Sequence, residues 1–358
     1  MSTSNKKAIS KNFVLFYPIP NLLISKDFGG EIQIGRVHFI SKEKIPFVRK
    51  RIGFRHTISE LNKYWEKNVP EMKNLFNETP SYAFIHFRAN SFSELSDPDR
   101  EIKEALWILV SSQFYRENRG NVHYFGLPEH KSNVKTETVI YDKSERNLRR
   151  SFQRLKPYFP YKLDKLWRHY LKRHFFFPLL KILNRTEGIT IKKKWRDTLR
   201  NVSILIGKSH FSKDLPLAFL YDFIAIESLL LADKEPHHLL SERLNGLFGW
   251  MSKENPKKWE NIIKGLIDLR NEFVHSGNFE GIKTIDLVNA DNILYNLFNN
   301  ICRNINFFQN KEALIDLSRK VKASRILGLK VKVRPSMIFE HLPPSTTIDM
   351  IKKKNYWP

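Results

Sequence analysis

Hydrophobic and polar positions in the first 142 residues fall into short runs of strand character. Phe13-Val14-Leu15-Phe16-Tyr17 and Leu22-Leu23-Ile24-Ser25 are β-prone, and Glu31 to Ile40 alternates polar with apolar as a half-buried strand does. Gly29-Gly30, between two of these runs, predicts a hairpin turn, and Tyr82 to Phe87 predicts a further strand. Ser96 suits the cap of a helix running through Glu101 to Arg116, with Leu106, Val110 and Phe114 on one face. Residues 1–142 are therefore expected to form an α+β sensing or regulatory domain.

From about residue 143 the period becomes helical. Arg146, Arg150 and Arg154 recur every four residues behind Lys143, predicting one basic stripe on a helix. In Lys162 to His174 the apolar Leu163, Leu166, Trp167 and Tyr170 interleave with cations, so these side chains either stack nucleic-acid bases or simply pack inward. Lys192-Lys193-Lys194-Trp195-Arg196 opens another helix through Ile204, and residues 143–200 read as a basic helical linker region.

Residues 214–231 are apolar nearly all round, the pattern of a buried helix. A helix with Leu240, Arg243, Leu244 and Leu247 follows Pro236-His237-His238, and another from Pro256 carries Trp259, Ile263 and Leu266. After a loop at Gly277 to Gly281, a long helix from Asp286 turns Leu287, Leu294, Leu297, Ile301, Ile305 and Phe308 inward. Short connections between such helices predict an all-α bundle over 201–310. Residues 311–358, with Pro335, Pro343, Pro344 and Lys352-Lys353-Lys354, are expected to be a basic C-terminal extension wrapping another surface.

A chain of 358 residues, 41% hydrophobic, is long enough for two or three domains with real cores. The single Cys302 excludes an internal disulfide and suits a reducing compartment. No signal peptide is visible, and the apolar stretch from Phe13 to Ile24 is broken by Pro18 and Pro20. A cytoplasmic protein without a membrane partner is the expectation. The net charge of +24 divides unevenly: +5 over 1–142, +14 over 143–200, −2 over 201–310 and +7 over 311–358. A basic block beside a near-neutral domain is what a surface that gathers polyanions requires.

Arg270-Asn271-Glu272-Phe273-Val274-His275, closed by Ser276-Gly277, carries the strongest chemistry. It sets a permanent cation, an amide and an imidazole within about one and a half helical turns, just before a glycine stop. An imidazole moves protons near neutral pH, and a guanidinium takes up charge building on phosphate. Arg270 borders the buried face and needs a partner. Glu227 must also be paired, because it lies between Phe223 and Leu230 on an otherwise apolar helix. Glu227 is therefore expected to orient Arg270 or His275, with Arg243 competing for the same carboxylate. Asn271 either orients phosphate or is an ordinary exposed helical asparagine.

Other motifs lead nowhere. Asp97-Pro98-Asp99-Arg100-Glu101 is too compact for a two-strand metal site and opens a helix. His237-His238 are adjacent and lack further ligands at zinc spacing. The chain contains no phosphate-cradling glycine loop and no Gly-x-Ser-x-Gly elbow.

With the bundle and the hexapeptide side by side, the chain resembles the HEPN superfamily, most closely its Apea-like branch, from roughly Trp195 to Phe308. Phe219 to Leu230, Ser241-Glu242-Arg243-Leu244 and Leu269 to Gly277 carry the resemblance. It implies an α+β leader followed by an all-α HEPN bundle. The implied activity is that of a metal-independent endoribonuclease needing no cofactor, with Arg270, Asn271 and His275 at the catalytic site. It further implies a homodimer or higher homo-oligomer that acts on RNA in bacterial anti-phage defence (abortive infection) or a toxin system, answering a phage-derived trigger or an antitoxin. The family also contains catalytically silent members that bind nucleic acid or scaffold assemblies. Arg146, Arg150, Arg154, Lys192, Lys193 and Lys194 are the candidate RNA-binding cations.

Overall fold

The computed structural model describes residues 11–19, 22–53, 56–68, 80–89, 96–112, 135–143, 147–154, 161–172, 174–186, 189, 191–212, 214–251, 256–329, 337 and 339. The chain divides into two compact units, one of Met1–Leu106 with His123–Tyr170 and one of Trp107–Val122 with Leu171–Pro358. An antiparallel sheet combined with many helices makes it an α+β protein.

In the first unit, β1 (Lys11–Ile19) is buried from Phe13 onward, as its unbroken apolar run requires. It pairs with β5 (Ser81–Ala89) on one side and β6 (Lys135–Asp142) on the other, so that Leu15 faces Ile85 and Ile140. The full order is β3-β4-β5-β1-β6-β7, with β3 (Glu31–Ile34), β4 (Val37–Ser41) and β7 (Asn147–Arg154), all antiparallel. Val14, Phe16, Ile40, Tyr82 and Phe84 of the sheet close a core with Ile45 and Val48 of α1 (Ile45–Ile52) and Leu61 of α2 (Ile58–Asn68).

Three expectations change here. Glu31 to Ile40 is a hairpin rather than one strand, turning at Gly35, whose φ of 61° costs a glycine little. The signal was a shift in parity, from Ile32 and Ile34 to Val37 and Phe39, which flips the apolar face at the turn. Gly29-Gly30 closes no hairpin, because β2 (Leu22–Ile24) pairs in parallel with β8 (Tyr161–Leu163). Residues 147–154 are a strand and not a helix: Arg150 stands opposite Val139 and Arg154 opposite Lys135. A recurrence of four fits the strand period of two as well as a helical turn, so the arginine spacing could not discriminate. Arg146 lies outside the described residues.

α3 (Ser96–Ser111) follows β5, with Leu106 and Val110 buried; Phe114 and Arg116 lie outside the described residues. The interleaved segment splits into β8 and α4 (Lys165–Leu171), where Asp164 accepts from the Trp167 backbone N–H at 2.9 Å. Trp167 packs edge-on against Phe28, with ring centroids 5.8 Å apart.

The second unit is helical: α5 (Phe176–Leu183), α6 (Lys193–Phe211), α7 (Leu215–Leu230), α8 (His238–Met251), α9 (Pro256–Ser276), α10 (Thr284–Arg303) and α11 (Lys311–Ile326). Asp214 caps α7 by accepting from the Leu217 backbone N–H at 2.9 Å, and Pro216 sits in the first turn. α7 packs on α6 and α10, while α8 packs on α9 and α11. α10 is buried along nearly its whole length, although Asn292, Asn296 and Asn300 sit inside it. Each of these amides donates to the carbonyl four residues back, at 3.1, 2.8 and 2.7 Å, which offsets the cost of burying it. Helix α11 occupies a region expected to be an extension. Asn310 accepts from the Ala313 backbone N–H at 2.9 Å, and Leu314, Ser318 and Val321 are buried. Gly246 of α8 permits this packing, since a Cβ there would lie 2.9 Å from the Ser318 hydroxyl. The prolines and Lys352-Lys353-Lys354 of the tail lie outside the described residues.

Candidate functional site

The hexapeptide forms the last turns of α9. Gly277, at φ 69°, ends the helix, and its N–H reaches the Phe273 carbonyl at 3.0 Å. His275 follows Arg270 by five positions, which turns the two about 140° apart around the helix axis. Arg270 consequently points inward, 9% exposed, while His275 is exposed.

Arg270 crosses to α7 as its sequence position implied. Its Nη2 donates to Glu227 Oε2 at 3.1 Å, and its Nε stands 2.8 Å from Oε1. The carboxylate thus occupies the Nε/Nη2 edge of the guanidinium and leaves Nη1 directed elsewhere, toward Asn271 Oδ1 at 3.3 Å. Asn271 is half-buried and steadies the guanidinium.

A third group meets Glu227, and no reading of the sequence suggested it. His237, in the connection before α8, places Nδ1 3.2 Å from Oε1, the oxygen that faces Arg270 Nε. Its side chain is 46% exposed. An isolated His-His pair carried no ligand spacing, and only the fold shows that its first member reaches a carboxylate ten positions back.

Arg243 does not compete for Glu227. Buried to 4% exposure, it donates to Glu235 through Nη1 at 2.6 Å and Nη2 at 2.8 Å, and Nη1 also reaches the Leu230 carbonyl. Glu235 in turn accepts from the Ala232 backbone N–H at 2.7 Å. Arg243 and that N–H hold the Glu235 carboxyl down at about 2. Lys311 Nζ donates to the Leu231 carbonyl, and Lys194 pairs with Asp233 at 2.9 Å. The connection that carries His237 is therefore tied down by Arg243, Lys311 and Lys194.

Among the predicted RNA-binding cations, Lys192, Lys193 and Lys194 lie exposed at the start of α6, with Lys194 engaged by Asp233. Arg150 and Arg154 are placed on β7 of the other unit. In the chain around His275, Val274 is 49% and Phe279 52% exposed among exposed Glu272, Ser276, Asn278 and Glu280, and Phe273 meets Phe279 edge-on at 6.1 Å. Among the described residues, no group of three or more His, Cys, Asp or Glu side chains could hold a metal ion, and no helix is long and apolar enough to cross a membrane. No family model matches this chain, and neither a curated protein nor a solved structure matches it.

Proposed function

We propose that this chain is a metal-independent endoribonuclease whose helical unit is a HEPN-type bundle. The observation that carries the reading is a helix terminus on which an exposed imidazole, His275, follows a guanidinium held edge-on by a carboxylate. In this scheme the ribose 2′-oxygen attacks phosphorus, the bond to the 5′-oxygen breaks, and a 2′,3′-cyclic phosphate remains. His275 moves a proton, and Arg270 offers its Nη1 edge to the charge developing on the phosphate oxygens. Asn271 and Glu227 hold that edge in place. Exposed Phe279, four positions after His275, offers a ring on which an unpaired base can stack, which favours single-stranded RNA. Lys192 and Lys193 add positive charge on the same unit. One imidazole is only half of an acid–base pair, and two-fold association of chains is the arrangement the family resemblance implies for the other half. Defence against phage or a toxin system, with a trigger or antitoxin as partner, is the biological setting proposed.

The test is RNA incubated with EDTA and the unaltered chain, His275→Ala or Arg270→Ala. Cleavage by the unaltered chain that leaves 2′,3′-cyclic phosphate ends, lost in both variants, is the expected result. RNA left intact by the unaltered chain rejects the reading. One observation favours the rival, a catalytically silent nucleic-acid-binding or scaffold protein: the Arg270 side chain is 11% exposed and already paired. On that rival reading the Glu227–Arg270 pair only ties α7 to α9.

A further inference from the structure

We propose that the first unit holds a phosphate-binding site of its own at the C-terminal end of α1, where Lys143 and His86 take the phosphate of a nucleotide or of a single-stranded nucleic acid. The site lies outside the ribonuclease reading, which concerns the helical unit, and does not depend on it.

Strand pairing gathers these residues. Val14 of β1 stands opposite His86 of β5, and His38 of β4 stands opposite Phe84, two positions before His86. A period of two puts both imidazoles on one face of the sheet. His38 stacks on the Phe84 ring at 4.8 Å, and His86 meets that ring edge-on at 6.2 Å. Lys143 follows β6, and its backbone N–H donates to the Asn12 carbonyl of β1 at 3.1 Å. Its Nζ lies 3.4 Å from His86 Nδ1, and a Cβ on Gly53, which closes α1, would stand 3.7 Å from it.

An ammonium only donates, so His86 Nδ1 accepts from Lys143 and the ring proton sits on Nε2. Partial burial, Lys143 and His38 hold the His86 imidazole down at about 4, so the ring is neutral near pH 7. Its Nε2–H belongs to an exposed side chain. Among the described residues no carboxylate pairs with Lys143 or His86. Glu31, 3.6 Å from His38, is engaged by Arg51, and Asp142 is buried opposite Phe13 on the other sheet face. Arg49, Lys50 and Arg51 fill the last turn of α1, and three cations outweigh the partial negative charge, about half a unit, of a helix C-terminus. A phosphate here accepts from the ammonium and from Nε2–H together, two bonds of the charge-assisted kind.

Phe47 narrows the class of ligand. It is 75% exposed and precedes Lys50 and Arg51 by three and four positions, on the same face of α1. An exposed ring among cations stacks a base while the cations hold the backbone phosphate. A nucleotide, free or within a strand, carries both groups.

The test measures binding of AMP, adenosine and a single-stranded DNA oligonucleotide to the full-length chain by calorimetry. DNA lacks the 2′-hydroxyl that the proposed cleavage needs, so failure at this site and failure of the ribonuclease reading are separate results. Lys143→Met and His86→Ala are compared with Lys320→Ala, which removes one exposed cation from the other unit, and melting curves confirm folding. The expected result is affinity for AMP or the strand lowered roughly tenfold or more in the first two variants and unchanged in the third. Adenosine, without the phosphate, should bind more weakly than AMP by a similar factor. Binding of AMP supports a free nucleotide as ligand, and binding of the strand without AMP supports a polynucleotide. Absence of binding by the folded, unaltered chain overturns the proposal, and so does adenosine bound as tightly as AMP. Equal losses in all three variants reduce the effect to net charge and also overturn it. Unchanged affinity in Lys143→Met and His86→Ala overturns it as well, leaving Lys143 as a prop for the end of α1.

Discussion

Arg243 and Arg270 are both buried arginines clamped to a glutamate, yet they are held in different ways. Arg243 reaches eight positions back to Glu235, and a further bond goes to the carbonyl of Leu230, the last residue of α7. Both of its anchors lie in one short stretch of chain, and the pair fixes a loop. Arg270 reaches 43 positions back, from α9 to α7, and its carboxylate also meets the half-exposed His237. A buried arginine must be paired, so burial alone says nothing of purpose. The second contact of the carboxylate separates the two: a backbone N–H for Glu235, an imidazole open to solvent for Glu227.

The contrast can be broken most sharply through activity. His275→Ala should lower RNA cleavage roughly 10²–10⁴-fold while leaving the melting temperature nearly unchanged, because an exposed side chain is removed. Arg270→Lys keeps the charge but loses the planar fork, and should cost roughly 10²–10³-fold in cleavage rate. Arg243→Ala should act on stability instead. Removing one partner of a buried pair costs about 3 kcal/mol, read as a lower midpoint in urea denaturation. Equal stability losses and equal activity losses in the Arg243 and Arg270 variants would erase the distinction.

Acid sharpens the same comparison more gently. The Glu235 carboxyl is held at about 2 against an ordinary 4.5, so the folded state favours its ionised form. Its contribution is complete above about pH 4.5 and is lost as pH falls toward 2. Stability measured against pH should fall through that window, and Glu235→Gln should flatten the fall. The smallest effect belongs to Lys194→Ala. That pair is exposed at both ends, so the urea midpoint should stay nearly unchanged.

Strands and helices with an unambiguous period were legible. The apolar run of β1 and the all-round apolar α7 were evident because burial on every side leaves no polar interruption. The hairpin at Gly35 was present as a parity shift but hidden inside a continuous alternation. The strand 147–154 was lost because a repeat of four serves both periods. Helix α11 was obscured by the proline and lysine content of the tail behind it. At the site, the pairing of Glu227 with Arg270 was legible, since two charges on apolar faces have to find each other. The partner of Arg243 was not, because Glu227 and Glu235 are equally acidic in a linear reading, and only the path of the connection brings one of them within reach.

Periodicity and composition were enough to set the strand-rich beginning, the helices from Lys193 to Arg303, the concentration of positive charge and the inward turn of Arg270, because each depends on neighbours within a few residues. Tertiary structure alone decided which carboxylate each arginine holds and that His237 stands on Glu227. Those contacts join positions 8, 43 and 10 residues apart. No local period reports such separations, and the packing of α7 against its neighbours chooses among chemically equivalent partners.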